Sequence, residues 1–189
     1  GMLMDSTEDA AAFTEKNLRR YDVVVFLSTT GDVLNPTQEA EFERYIQAGG
    51  GFVGIHAASD TEYGWTWFGG LVGGYFDSHP EIQNARLTVE RHDHPATKHL
   101  GKEWNRRDEW YNFKDMNPKV EVLLKIDESS YKNGKMGADH PMSWFQEYDG
   151  GRAFYTALGH TDESFSEPDF LKHLLGGLDP SKAIPYLLK

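Results

Sequence analysis

Two five-residue runs, Val23–Leu27 ("VVVFL") and Gly51–Ile55 ("GFVGI"), flank one amphipathic segment. That spacing constrains the fold more than any other feature of the chain. Neither run alternates with polar residues, so each reads as a strand covered on both faces, as parallel sheets require. Between them Asn35 is placed as a helix N-cap, Pro36 at the first helical position and Gln38 at the third, three start signals that agree. Phe42, Tyr45 and Ile46 share a helical face, and Gly49 ends the helix. Residues 23–56 are therefore one βαβ unit with a right-handed crossover.

The pattern extends in both directions. "DAAAFTEKNLRR" (9–20) predicts a helix with Phe13 and Leu18 inward. Further strands are expected over 85–90, 121–126, 142–146 and 152–157, separated by polar loops carrying Pro95, Pro118 and "YKNGKMGADHP". "EPDFLKHLLGGL" predicts a last helix with Phe170, Leu171, Leu174 and Leu175 inward and His173 on the surface. No repeat, low-complexity tract or linker divides the sequence. The expectation is one α/β domain over residues 1–189 with an open, largely parallel sheet.

Composition excludes several classes. A formal charge of −11 disfavours nucleic acid and anionic membrane surfaces as partners. No apolar run approaches the ~18 residues of a transmembrane span. The absence of cysteine removes disulfides, zinc–thiolate sites and thiol nucleophiles together. "GMLMDSTEDAAAF" lacks the basic start and apolar middle of a signal peptide, and a cytoplasmic protein is expected. "GDVLNP" and "GGLVGG" match no nucleotide-binding loop, so neither nucleotide nor flavin is expected.

Ligands of open α/β sheets bind beyond the carboxyl ends of the strands. His56 stands at such an end, in "GGGFVGIHAASD", and His160 ends "GRAFYTALGH" in the same way. His79 and His140 precede prolines, which restricts their backbones to extended geometry. "RRDEWYNF" gathers Asp108, Glu109, Trp110 and Tyr111, and carboxylates beside aromatic rings suit sugars. A single histidine is more often a hydrogen-bonded interior group than a catalyst, and Trp65 and Trp67 more often pack than bind. His92, His94 and His99 read as solvated loop residues. No pair has a tight metal-ligand spacing. His56, His79, Glu109 and His160 form a metal site only if the fold collects them, and imidazoles with a carboxylate then suit Zn²⁺ or Mn²⁺.

"YDVVVFLSTTGDVLN", "GGGFVGIHAASD", "DEWYNF", "DHPMSW" and "GGRAFYTALGH" closely resemble the ThuA-like family, named for trehalose utilisation, from about residue 5 to about residue 178. The resemblance implies a flavodoxin-like sheet of the class I glutamine amidotransferase type, helices on both faces. In those amidotransferases a nucleophilic cysteine occupies the turn that here reads "GIHAA", so His56 stands in its place and amidotransferase chemistry is excluded. Carbohydrate metabolism is implied instead, with a disaccharide, glucoside or keto-sugar as substrate. On this reading His56, Glu109 and His160 are catalytic, and Asp60, Trp65, Asp108, Tyr111, His140 and Arg152 contact or orient the sugar. The alternative is a non-catalytic sugar-binding protein on the same scaffold. The family's first strand–helix unit has no counterpart here; a truncated sequence, a rearranged sheet and a domain-swapped or paired dimer are the alternatives, and a homodimer formed through that gap is the expectation.

Overall fold

The computed structural model describes residues 3–178. After a 3-10 turn at Ala10–Ala12 come α1 (Glu15–Leu18), β1 (Val23–Leu27), β2 (Thr30–Gly31), α2 (Pro36–Gln47), β3 (Gly51–Ile55), β4 (Asp60–Thr61) and α3 (Thr66–Val72). The chain continues through β5 (Tyr75–Ser78), β6 (Gln83–Val89), β7 (Glu103–Asp108), β8 (Asn112–Lys114), β9 (Glu121–Ile126), β10 (Pro141–Tyr148), β11 (Gly151–Thr156) and α4 (Pro168–Leu178).

The start signals of α2 operate as expected. Asn35 accepts from the N–H groups of Thr37 and Gln38, while the Gln38 side chain accepts from the Asn35 N–H. The helix expected over 9–20 is instead broken. Asp9 caps the 3-10 turn and Thr14 caps α1 separately, because short polar side chains offer the backbone local partners that end a helix.

Seven strands form one mixed sheet in the order β1-β3-β11-β10-β9-β6-β7. β1, β3 and β11 run parallel and in register, so Leu27, Ile55 and Thr156 lie side by side at their carboxyl ends. The remaining pairs are antiparallel. All five residues of β3 are buried, as its unbroken apolar run requires. β7 was not anticipated, since "EWNRRD" reads as polar. It is an edge strand whose Trp104, Arg106 and Asp108 point inward while the alternate residues meet solvent. Residues 61–80, rich in glycine and aromatics, hold α3 and β5.

One sheet face is sealed by a phenylalanine cluster. Phe26, Phe42, Phe52 and Phe68 lie with neighbouring ring centroids 5.5–6.2 Å apart and fix α2 and α3 to β1 and β3. Each such fully buried ring contributes ~1.5–3 kcal/mol. The opposite face is covered by α4 in a rotation that the leucine pattern did not give. Phe170, His173, Leu174, Gly176 and Gly177 are buried, whereas Leu171 and Leu175 are 40% and 53% exposed. A Cβ on Gly176 would strike the Pro95–Ala96 backbone, and one on Gly177 the Phe154 ring. The helix therefore packs on its smallest residues, and the leucines turn out. His173, expected at the surface, is fully buried, bonded to the Ala96 carbonyl and to Thr156 Oγ1. His94, read as solvated, is buried and stacks on Phe145 with centroids 4.6 Å apart.

Candidate active site

β3 ends at Ile55 and the chain turns sharply into a short 3-10 segment, with His56 at φ +50°. A non-glycine residue in that left-handed region is strained and persists where its surroundings fix it. Here the Tyr155 hydroxyl donates to the His56 carbonyl at 2.7 Å and also meets Ser59 Oγ at 2.8 Å. His56 Nδ1 lies 2.8 Å from the Ala157 carbonyl just beyond β11. A carbonyl only accepts, so Nδ1 carries the hydrogen and Nε2 is directed away from the sheet.

Glu109 follows the last residue of β7 and brings its carboxylate over the same strand ends. Oε2 lies 3.3 Å from His56 Nε2 and 3.2 Å from His160 Nδ1, and Oε1 lies 3.0 Å from His79 Nδ1. His160 Nδ1 is 2.9 Å from His56 Nε2. Burial pushes the Glu109 carboxyl up. The His56 hydrogen bond and the charges of His160, His79 and His56 outweigh it and leave the group below its ordinary value.

The donor set fits a divalent metal. With Nδ1 taken by the Ala157 carbonyl, Nε2 is the His56 atom left to ligate, and it points at a Glu109 carboxylate oxygen. His56 Nε2, Glu109 Oε2 and His160 Nδ1 form a triangle with sides of 2.9, 3.2 and 3.3 Å. Bonds of ~2.1 Å place ligand atoms ~3.0–3.4 Å apart in octahedral or tetrahedral geometry. Among the described residues this is the only group of three or more histidine and acidic side chains close enough to share an ion. His79, the fourth residue expected in the set, stands outside the triangle on the other oxygen of Glu109.

The remaining candidates divide. Tyr111 lies against the site, its ring centroid 4.3 Å from His56 and 4.4 Å from Phe76. Burial, then the Glu109 and Asp60 carboxylates, raise its phenol. Asp60 accepts from Thr30 and Tyr63 nearby. His140 is buried beneath, bonded to the Tyr111 carbonyl at 2.7 Å and to Glu128 at 2.8 Å, so it supports Tyr111 from behind. Asp108 is fully buried, its oxygens taken by backbone N–H groups. Trp65 packs with Phe42 and Trp67 and donates to Glu43, so it serves the α2–α3 interface. Arg152 pairs with Gly51 at the start of β11, four residues or ~13 Å from the strand end that carries the site. Arg106 was missed. Only the strict alternation of "EWNRRD" marks it, rather than Arg107, as the inward arginine.

The sheet defines an open α/β protein with this histidine–glutamate cluster at the carboxyl ends of its parallel strands, where such folds bind ligands. The chain belongs to the ThuA family, described as trehalose utilisation, whose model matches residues 1–179. A ThuA-like protein from Bacteroides uniformis ATCC 8492 is 28% identical with a TM-score of 0.77, covering 92% of this chain and 74% of its own. Another from Parabacteroides merdae ATCC 43184 is 22% identical with a TM-score of 0.74, covering 96% and 76%. A β-galactosidase from Bacillus circulans sp. alkalophilus shares the fold at 16% identity and TM-score 0.59, over 85% of this chain and 22% of its own. No curated protein matches. No helix among the described residues is long and apolar enough to cross a membrane.

Proposed function

We propose that this protein is a carbohydrate-processing enzyme acting on a disaccharide, glucoside or keto-sugar, with His56, Glu109 and His160 holding a divalent metal, Zn²⁺ or Mn²⁺. The observation that carries the reading is the triangle of two imidazole nitrogens and one carboxylate oxygen at 2.9–3.3 Å. A metal bound there would polarise a carbonyl or hydroxyl oxygen of the sugar. The chain's own residues do the rest. The Ala157 carbonyl holds His56 in the tautomer whose Nε2 can ligate. His79, 44% exposed at its side chain, with Nδ1 3.0 Å from the second Glu109 oxygen and hydrogen-bonded to the Pro80 carbonyl, is placed to take or return a substrate proton at its other nitrogen. Tyr111, buried against His56 and Phe76, backs the imidazole rather than stacking on the sugar, and Asp60 at the rim accepts from the sugar hydroxyls.

Metal analysis of the purified protein, followed by a turnover screen with trehalose, aryl glucosides and 3-keto-glucosides, tests this. One tightly held divalent ion per chain, lost together with turnover in His56→Ala, is expected. Sugar binding that survives both His56→Ala and chelation, with no turnover, would make the protein a binding module instead.

A further inference from the structure

Asp108 is fully buried, and its two oxygens accept three backbone N–H groups: Glu109 at 3.0 Å, Gly159 at 2.9 Å and His160 at 3.1 Å. Two of these belong to proposed metal ligands. They come from separate parts of the chain, one after β7 and the other in the loop after β11. β6, β9 and β10 separate these two strands in the sheet. No sheet hydrogen bond joins the two loops; the carboxylate ties the backbone at Gly159 and His160 to β7, while Trp104 and Arg106 of β7 bond to Glu167 and Ser164 farther along the same connection. Gly159 makes the approach feasible: its φ is +102°, and a Cβ there would lie 2.8 Å from the Phe170 ring.

Arg106 in turn holds Asp108. Its side chain is 3% exposed, with Nη1 3.3 Å from Asp108 Oδ2, and Nη2 3.0 Å from Glu167 and 2.9 Å from Ser164 Oγ. Its guanidinium lies 4.9 Å from the Trp104 and Phe170 ring centroids. Fully buried, with three N–H groups on its oxygens and a guanidinium alongside, this carboxylate is closed to a sugar. An ion pair this enclosed is a weak source of net stability and a strong source of fixed geometry.

We infer that Asp108 and Arg106 are positioning residues: their ion pair sets the distance between the Glu109 and His160 donors, and so governs the affinity and geometry of the metal site. The inference rests on the metal reading for its functional consequence but not for its structural content. The test is Asp108→Asn, which keeps size and one acceptor oxygen but turns an amide N–H₂ toward backbone donors. Co²⁺ serves as probe, by titration and by its visible d–d spectrum. Loss of supporting contacts behind metal ligands weakens metal binding roughly 10–100-fold. Asp108→Asn is expected to show that loss and an altered d–d band while its far-UV circular dichroism matches the parent protein. Unchanged Co²⁺ affinity and spectrum in the folded variant would overturn the inference. Should Asp108→Asn fail to fold, Arg106→Lys supplies the same readout with the charge kept and the fork removed. Parent-like affinity and spectrum there would also overturn it. If the parent protein binds no Co²⁺, the metal reading falls by itself. The crystal structure of Asp108→Asn then decides: His160 Nδ1 withdrawn from Glu109 and His56 supports the inference, and the parent contacts preserved refute it.

Discussion

Glu109 is the residue on which three imidazoles converge, and its two oxygens have different tasks. Oε2 completes the donor triangle while Oε1 holds His79. Glu109→Gln keeps the shape, removes the charge and sets an amide against ring nitrogens. Zn²⁺ affinity by calorimetry is therefore expected to fall at least ~10-fold, with thermal stability near that of the parent. A second residue-scale prediction concerns His173. Burial, then the charges of Arg106, His99 and His94, press its imidazole down to about 3, with only the Ala96 carbonyl opposing. The unfolded chain binds this proton near pH 6.5, whereas the folded chain takes it up only near its lowered value. Stability is thus full above pH 6.5 and falls progressively as the pH drops toward about 3. Urea unfolding of His173→Gln across pH 4–7 should show a shallower slope than the parent protein. Both residues were visible in the sequence, but unequally. Glu109 stood out in "DEWY" beside aromatics, whereas nothing local distinguishes a buried histidine in "FLKHLL" from a surface one.

At the scale of elements, strands with unbroken apolar runs and the capped α2 were legible because their signals are local. The rotation of α4 was not. Four large apolar side chains suggested one face, but the face in contact is set by which residues allow the closest approach. Gly176 admits the Pro95–Ala96 backbone and Gly177 the Phe154 ring of β11, and Leu171 and Leu175 face solvent as a consequence. Gly176→Ala is expected to destabilise by about 1–3 kcal/mol, since the new methyl meets backbone that cannot swing away. Leu175→Lys should stay within about 0.5 kcal/mol of the parent. Equal losses from both substitutions by chemical denaturation would restore the leucine-inward rotation. β7 escaped notice for a related reason: five of its six residues are polar, three because they face solvent at the sheet edge and two, Arg106 and Asp108, because they pair with each other inside.

For the whole molecule, the open question lies at the other edge of the sheet. β1 pairs with β3 on one side, and among the described residues no strand pairs with it on the other. Val25 and Leu27 beside that edge are 42% and 55% exposed, so unpaired backbone groups and apolar side chains coincide. Such an edge is a template for another strand. A second copy offers a matching one, because antiparallel pairing of β1 with itself across a two-fold axis sets Val25 opposite Val25 and gives both chains the same contacts. The formal charge of −11 on each chain opposes the approach, and salt screens that repulsion. A dimer whose population rises with protein concentration and with added salt is therefore expected by light scattering after size exclusion. Val25→Lys, which sets two like charges face to face at the axis, should return it to monomer without altering metal content, since the site lies beyond the strand ends and not along this edge. A parent protein that stays monomeric at high concentration and high salt would refute pairing through β1.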